Sequence, residues 1–311
     1  MSKPALYIAG ASTISHQPTF RNPGFSAALG PVGAASALIN PDYKEYIDAG
    51  LLRRMSKVLR MSVACARDCI AQAGIEQPDA IVVGTGLGCL QDTEKFLNTS
   101  LTVEGLLPPT SFIQSTHNTM AGQISLSIGN HGYNMTHTQN TLSFEHALLD
   151  ASMLLREGDR NVLVGAADEH IEILDDIAGR LGLEAASPLT SGASFFILSN
   201  ENTGNALGKL ADVYTCGGTG SIREEIDAFL DRNGLRAGDI DLALYAGDSV
   251  HGAASNVSYA ALSGVYATAS AFALHYAADV LGSGVGVRNV LICNTLRKNN
   301  LGLTLLKAVE A

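Results

Sequence analysis

The sequence predicts an α/β fold whose sheet is buried and clad by helices on both faces, and three features carry that prediction. Short runs that are apolar at consecutive positions recur along the chain. Stretches with helical spacing of apolar residues separate them. The chain also spends 32 of its 311 residues on glycine, which suits frequent tight connections. A strand apolar on both faces belongs inside a sheet covered on each side, and the intervening helices supply the cover.

The elements follow in order. Ala5–Ala9 is a short apolar run and reads as the first strand. Leu51–Ala73 repeats apolar residues at helical spacing and reads as one long helix. Ala80–Gly84 is a second strand, Phe144–Arg156 a second helix and Asn161–Gly165 a third strand. Ser194–Leu198 is a strand, Ile222–Leu230 a helix and Leu242–Ala246 a strand. Ala267–Val280 and Val290–Cys293 close the series as helix and strand. Ile81-Val82-Val83-Gly84 resembles Val162-Leu163-Val164-Gly165, and the helix-then-strand rhythm returns in the last third. A duplicated architecture is therefore expected, with a first half over 1–200 and a shortened second half over 201–311 in one compact unit. The junction is placed at 201–220, which is rich in Gly, Asn and Thr but too short for a free linker.

Composition narrows the function. Hydrophobic residues make up 46% and charged ones 16%, a globular profile and not a disordered one. A net charge of −10 disfavours nucleic acid, whose phosphates need a basic face. No apolar run approaches the roughly 20 residues of a bilayer span, and Ala5–Gly10 reads as a strand, not a signal peptide. A cytoplasmic protein is expected. Cys65, Cys69, Cys89, Cys216 and Cys293 form no CxxC pair; Cys65 and Cys69, four apart on one helix face, read as core filling in a reducing compartment. Gly84-Thr85-Gly86-Leu87-Gly88 is a GxGxG, yet a dinucleotide site also wants a helix start and a later acidic residue. No cofactor or metal is implied. His117, His131, His137 and His146 fit no metal-ligand spacing and read as surface or hydrogen-bonded residues.

A more specific signal runs over 108–169. Pro109, Ser111-Phe112-Ile113-Gln114-Ser115-Thr116 and Asn118-Thr119-Met120-Ala121-Gly122-Gln123 are followed by Gly129-Asn130-His131-Gly132. Gly158-Asp159 and Asn161-Val162-Leu163-Val164-Gly165-Ala166-Ala167-Asp168-Glu169 complete the pattern. The segment resembles the β-ketoacyl synthase family around its nucleophile, through to a GDxDxxxxGGxE-like strand. The resemblance implies a thiolase-like fold, a five-layer αβαβα sandwich of two related halves, here with the second half shortened. It covers about 5–305 and is weak after 200.

The family's chemistry is missing from the matching positions. The nucleophilic cysteine falls on Thr141, or on Asn140 with a one-residue slip. The first histidine falls on Gly247 and the second on Val265, while the lysine falls on Ala260. Asn294–Gly302 replaces the family's flexible glycine loop with bulk and charge. The chain is also shorter than working ketosynthases. Losses within one catalytic unit are not additive, so losing all of it removes selection for any part.

The resemblance therefore implies a non-catalytic, chain-length-factor-like subunit of the short type found with aryl-polyene ketosynthases. Its partner would be an active ketosynthase, with acyl carrier protein engaged indirectly through that partner, since both the carrier and this chain are acidic. Phe112, Ile113 and Gln114 match the segment that closes the partner's acyl tunnel. A bulky side chain there sets a length limit because close-packed atoms reject each added methylene. Plainer readings stand beside these. Phe112 and Ile113 can be core, and the Thr141 hydroxyl can cap the helix near Phe144. Asp168-Glu169 can be a structural turn, while Asp248, Ser249 and His251 lie too close along one loop to expect a triad. Two rival functions stay open: an independent thiolase-fold acyltransferase or hydrolase using Thr141, Ser143 or Ser249, and an acyl-binding homodimer.

Overall fold

The computed structural model describes residues 5–107, 109–182, 187–218, 220–284 and 286–309; Thr219, part of the expected junction, lies outside them. Among the described residues one mixed sheet holds β1 (Leu6–Ile14), β2 (Ala80–Gly84), β3 (Tyr133–His137), β4 (Asn161–Asp168) and β5 (Gly192–Ser199). It continues with β6 (Lys209–Gly217), β7 (Leu242–Ala246), β8 (Asn256–Ser258), β9 (Asn289–Asn294) and β10 (Asn300–Lys307). The order is β3-β2-β4-β5-β1-β6-β10-β9-β7-β8. Reading outward from the centre, β1-β5-β4-β2-β3 on one side answers β6-β10-β9-β7-β8 on the other. Both sides begin with two antiparallel pairings and end with two parallel ones. This is the duplication that the repeated apolar runs predict. The first five strands occupy residues 6–199 and the second five 209–307, so the second half is the shorter. The two sides join at Leu6 opposite Leu210 and Tyr7 opposite Lys209, and Ile8 continues the seam by bonding Gly208 O and Leu207 N.

The helices are α1 (Ala49–Leu52), α2 (Lys57–Ala73), α3 (Leu90–Thr102), α4 (Pro109–Gln114) and α5 (Thr119–Ile128). They continue with α6 (Ser143–Glu157), α7 (Glu172–Leu181), α8 (Ile222–Arg232), α9 (Tyr259–Ser263) and α10 (Ser270–Gly282). Helices α6 and α10 form the middle layer. Phe144, Leu148, Phe272 and Leu274 share one core with Val82, Val164 and Phe196 of the first sheet half and Leu244, Val290 and Ile292 of the second. On the far side of the first half, Val58, Met61 and Cys65 of α2 and Met120 and Ile124 of α5 pack on Ile81, Leu163 and Phe195. On the far side of the second half, Ile226, Phe229 and Leu230 of α8 pack on Leu291, Leu303 and Leu305. Helix, sheet, helix, sheet, helix: the five expected layers are present. No described helix is long and apolar enough to cross a membrane.

Three expectations need correction. The helix expected over Leu51–Ala73 is two helices, because the chain turns at 53–56 so that Met55 enters the outer core while Arg53 and Arg54 stay in solvent. The junction expected at 201–220 holds a central strand, β6. Leu210 and Val213 face the middle layer while Ala211 and Tyr214 pack on the α8 side, and alternation with Lys, Asp and Thr hides this two-sided packing. The segment Asn294–Gly302 is not one loop: Asn300–Gly302 already pairs with β6 as the start of β10.

Candidate functional site

The turn from β3 into α6 presents Asn140 with φ +55. A non-glycine residue in the left-handed region is strained and must be held there by its surroundings. Ser143 Oγ shares its one proton between Asn140 O at 2.7 Å and Thr85 O at 2.9 Å, and Asn140 Oδ1 accepts from Thr141 N at 2.9 Å. Thr141 is buried, and its Oγ1 has no hydrogen-bond partner among the described residues. The capping role expected of that hydroxyl is overturned: the 3₁₀ turn Asn140–Leu142 intervenes, and α6 starts without a side-chain cap. Below the turn, Asn294 Nδ2 donates to Thr141 O at 2.7 Å and to Glu145 Oε1 at 2.8 Å, tying the end of β9 to the start of α6.

Asp168, at the end of β4, fixes the opposite wall. Its carboxylate accepts from Thr85 Oγ1, Gly86 N, Leu87 N, Thr268 N and Thr268 Oγ1, at 2.8 to 3.2 Å. Burial pushes its pKa up, and the donors from Leu87, Thr268, Gly86 and Thr85 oppose that push. The GxGxG segment thus wraps a carboxylate of its own chain. Gly86 is required there because a Cβ would lie 2.2 Å from Ala267 Cβ. Glu169 likewise has its pKa raised by burial while accepting from Gln91 N at 3.0 Å.

Between these walls lies a cavity of ≈ 800 Å³. Asn140, Thr141 and Val265 line it together, three of the positions singled out from the sequence. Leu174 and Ile177 of α7, Leu189 and Leu296 make the lining mostly apolar, and Arg297 and Lys298 border it. Such a space accepts an apolar chain with a polar end. No base is hydrogen-bonded to Thr141 Oγ1, and the imidazole in the lining, His170, has Nε2 at 2.9 Å from Asp175. No group of three His, Cys, Asp or Glu among the described residues is placed to share a metal ion.

Other sequence candidates lie elsewhere. Gly247, at φ +90 beyond β7, is not in this lining; a Cβ there would meet Thr295 Oγ1 at 2.5 Å, so a histidine does not fit the present loop. Asp248, Ser249 and His251 are exposed on a separate ≈ 200 Å³ hollow with Arg223 and Asp227, and no hydrogen bond links the three side chains. Phe112 and Ile113 on α4 are 57% and 61% exposed, which overturns the core reading for this chain alone. The Phe112 ring sits 5.3 Å from Phe96, and Gln114 is buried against a ≈ 470 Å³ hollow that Arg53, Arg54 and Lys95 also line. His117 and His131 are exposed, whereas His137 Nε2 is 2.9 Å from Asp150 Oδ2 with the His146 ring 6.4 Å away. Cys65, Cys69, Cys89 and Cys293 are buried, and burial raises each thiol, Cys293 to about 12, so none supplies a thiolate near neutrality.

Sequence reasoning missed α7 and His170. The spacing of Ile173, Ile177 and Leu181 with Leu174 and Ala178 is helical, and that pattern was the available signal.

Comparisons with known proteins agree with the fold. Residues 37–176 match the family model for the β-ketoacyl synthase N-terminal domain. The solved ishigamide ketosynthase/chain length factor is 18% identical and superposes with a TM-score of 0.78, over 98% of this chain and 100% of that one. A type II polyketide synthase ketosynthase in complex with its acyl carrier protein, AntDE:AntF, is 15% identical with a TM-score of 0.80, over 99% and 100%. The ketosynthase ApeO in complex with its chain length factor ApeC from Xenorhabdus doucetiae is 15% identical with a TM-score of 0.62, over 97% and 99%. No curated protein matches the sequence. The chain has the thiolase-like fold of ketosynthases, and its resemblance to them extends over nearly its whole length.

Proposed function

We propose that this chain is a non-catalytic, ketosynthase-like subunit that pairs with a cysteine-bearing ketosynthase and helps set acyl chain length. The pathway class would be polyketide biosynthesis of the aryl-polyene type, with growing chains carried on acyl carrier protein and engaged through the partner. One observation carries the reading: an apolar surface that a lone soluble chain would not keep. Leu97, Leu101, Val103, Leu106, Phe112 and Ile113 on and between α3 and α4 are 48 to 100% exposed. On the same half of the molecule β3 is an edge strand with Tyr133 and Met135 exposed. Unpaired edges and apolar patches of this kind call for a covering partner. Supporting it, the sequence match puts Thr141 or Asn140, Gly247, Val265 and Ala260 where a ketosynthase would carry its reacting groups, and two of the similar solved structures pair a ketosynthase with a chain length factor.

The test is co-expression with the ketosynthase from the same gene neighbourhood, followed by sizing and mass measurement. A stable one-to-one complex is expected, with this chain aggregating when made alone. A well-behaved homodimer indifferent to the ketosynthase would overturn the reading. Phe112→Ala and Ile113→Ala should each lengthen the products of the reconstituted complex; unchanged lengths in both would sink the gating role. The ≈ 800 Å³ apolar cavity favours one second reading, an acyl-binding homodimer. Co-purified lipid in a stable homodimer would mark that outcome.

A further inference from the structure

Another cavity, of ≈ 470 Å³, shares no lining residue with the one at Thr141 and opens between the loop after β1, α2 and α10. Its charged and titratable wall is Arg21, Asp68, His275 and Asp279, and Ala11, Ala71 and Leu207 supply apolar surface; of the amides that also line it, Gln72 bonds Asp68 and Ala11 N, and Asn22 bonds Pro18 O. His275 is 8% exposed and forms part of this wall. Its Nδ1 is 2.8 Å from Thr13 Oγ1, whose own proton goes to Ser194 Oγ at 2.8 Å. The imidazole must therefore donate from Nδ1, which leaves Nε2 a bare acceptor with no protein partner among the described residues. Rings of Phe25 and Phe196 pack on the imidazole at 4.8 and 6.4 Å and hold it in place.

The charges around it are unbalanced. Arg21 Nε lies 2.7 Å from Asp68 Oδ1 and its Nη1 lies 3.3 Å from Glu45 Oε2, so the one cation in the wall is committed to two carboxylates. Arg21 is held for this at φ +49 with its guanidinium 5.1 Å from the Tyr46 ring centre. A non-glycine residue kept at positive φ signals a site that its surroundings over-determine. Asp279 is different: its two oxygens accept from Gly24 N at 2.6 Å and Ser26 N at 2.9 Å, and no cation pairs with it among the described residues. Thus the α10 side of the cavity offers a carboxylate and an imidazole lone pair, both acceptors, beside an apolar strip. The complement to two acceptors and a negative charge is a group that only donates, and an ammonium has three donors and no acceptor. A metal ion is a poorer match, since no three ligands converge here.

We propose that this cavity binds a small primary alkylammonium ion, with its head on Asp279 and His275 Nε2 and its tail along Ala11, Ala71 and Leu207. The site shares no lining residue with the acyl cavity.

Calorimetric titration of the intact chain at neutral pH with n-pentylammonium chloride tests it, with sodium pentanoate and 1-pentanol as controls at matched salt. Saturable one-to-one binding of the ammonium alone is expected. Asp279→Asn should weaken it at least about tenfold, the loss of one charge-assisted hydrogen bond. Because Asp279 also holds the 24–26 loop, a second variant guards the test: Ala71→Phe, at an exposed helix position, blocks the mouth without touching any of these hydrogen bonds and should abolish binding. Equal binding of pentanoate or pentanol would overturn the proposal. So would the absence of saturable heat up to about 10 mM, or full affinity in Ala71→Phe.

Discussion

Asp168 and Gly86 meet Ala267 and Thr268 where the first half of the chain touches the second, and the contact leaves no room for an added atom. A Cβ on Gly86 would lie 2.2 Å from Ala267 Cβ and 3.6 Å from Asp168 Oδ2. Gly86→Ala must therefore spread the halves or break the hydrogen bonds to Asp168, and a cost of about 1–3 kcal/mol is expected in urea unfolding; an unchanged midpoint would show that the loop gives way freely. His275 makes a pH prediction. Burial lowers its pKa from 6.5 to about 4, outweighing the fields of Asp279 and Asp68, which pull the other way. The unfolded chain takes up this proton as pH falls below 6.5, whereas the fold resists it until about 4. Stability present above pH 6.5 is therefore lost across that window, by about 3 kcal/mol. His275→Gln removes this share, so its urea midpoint should fall less steeply from pH 6.5 to 4 than that of the parent; parallel profiles would refute the assignment. At this scale the sequence marked the site only in part. Asn140, Thr141 and Val265 were legible through their motifs, and the structure gathers them. Gly247 was not placed by its motif because Thr295 fills the space where a side chain would go. The meaning of Gly84–Gly88 was hidden because its partner, the Asp168 carboxylate, lies 80 or so residues away in sequence.

Elements were legible where burial is two-sided. Ala80–Gly84, Asn161–Asp168 and Gly192–Ser199 are buried throughout or nearly so, and their unbroken apolar runs announce it. β3 escaped because it is an edge: Tyr133-Asn134-Met135-Thr136-His137 has no apolar face to bury within this chain. That same property makes β3 the place to test pairing with the proposed partner. Met135 is 41% exposed on this edge, and a lysine there would confront an incoming chain with a charge to desolvate without disturbing the monomer core. Met135→Lys should abolish or strongly weaken the proposed complex with a ketosynthase while leaving the far-ultraviolet spectrum unchanged. A complex of undiminished stability would move the interface elsewhere, the exposed band of α3 and α4 being the next surface to test.

On the scale of the whole molecule, the question is whether a duplicated chain behaves as two domains or one. The direct seam between the sheet halves is short, two residue pairs between β1 and β6 extended by the hydrogen bonds of Ile8 to Gly208 and Leu207. A seam of that size would let the halves unfold apart. The middle layer argues the other way. Helix α6 comes from the first half and α10 from the second, yet α10 packs on β1 and β5 of the first half as well as on β9, and α6 packs on β6 and β10 of the second. Their apolar side chains form one continuous core with both sheet halves. Polar contacts reinforce it: Asp168 holds Thr268, Thr13 holds His275, and Asn294 holds Glu145, each buried and each crossing from one half to the other. Separating the halves would expose that core and strand those groups, so neither half has an interior of its own to retain. Scanning calorimetry should accordingly give one transition whose van't Hoff and calorimetric enthalpies agree. Two resolved transitions, or protection from hydrogen exchange that persists in β1–β5 after β6–β10 has opened, would show that the slight seam governs and that the shared helices do not bind the duplication into one cooperative unit.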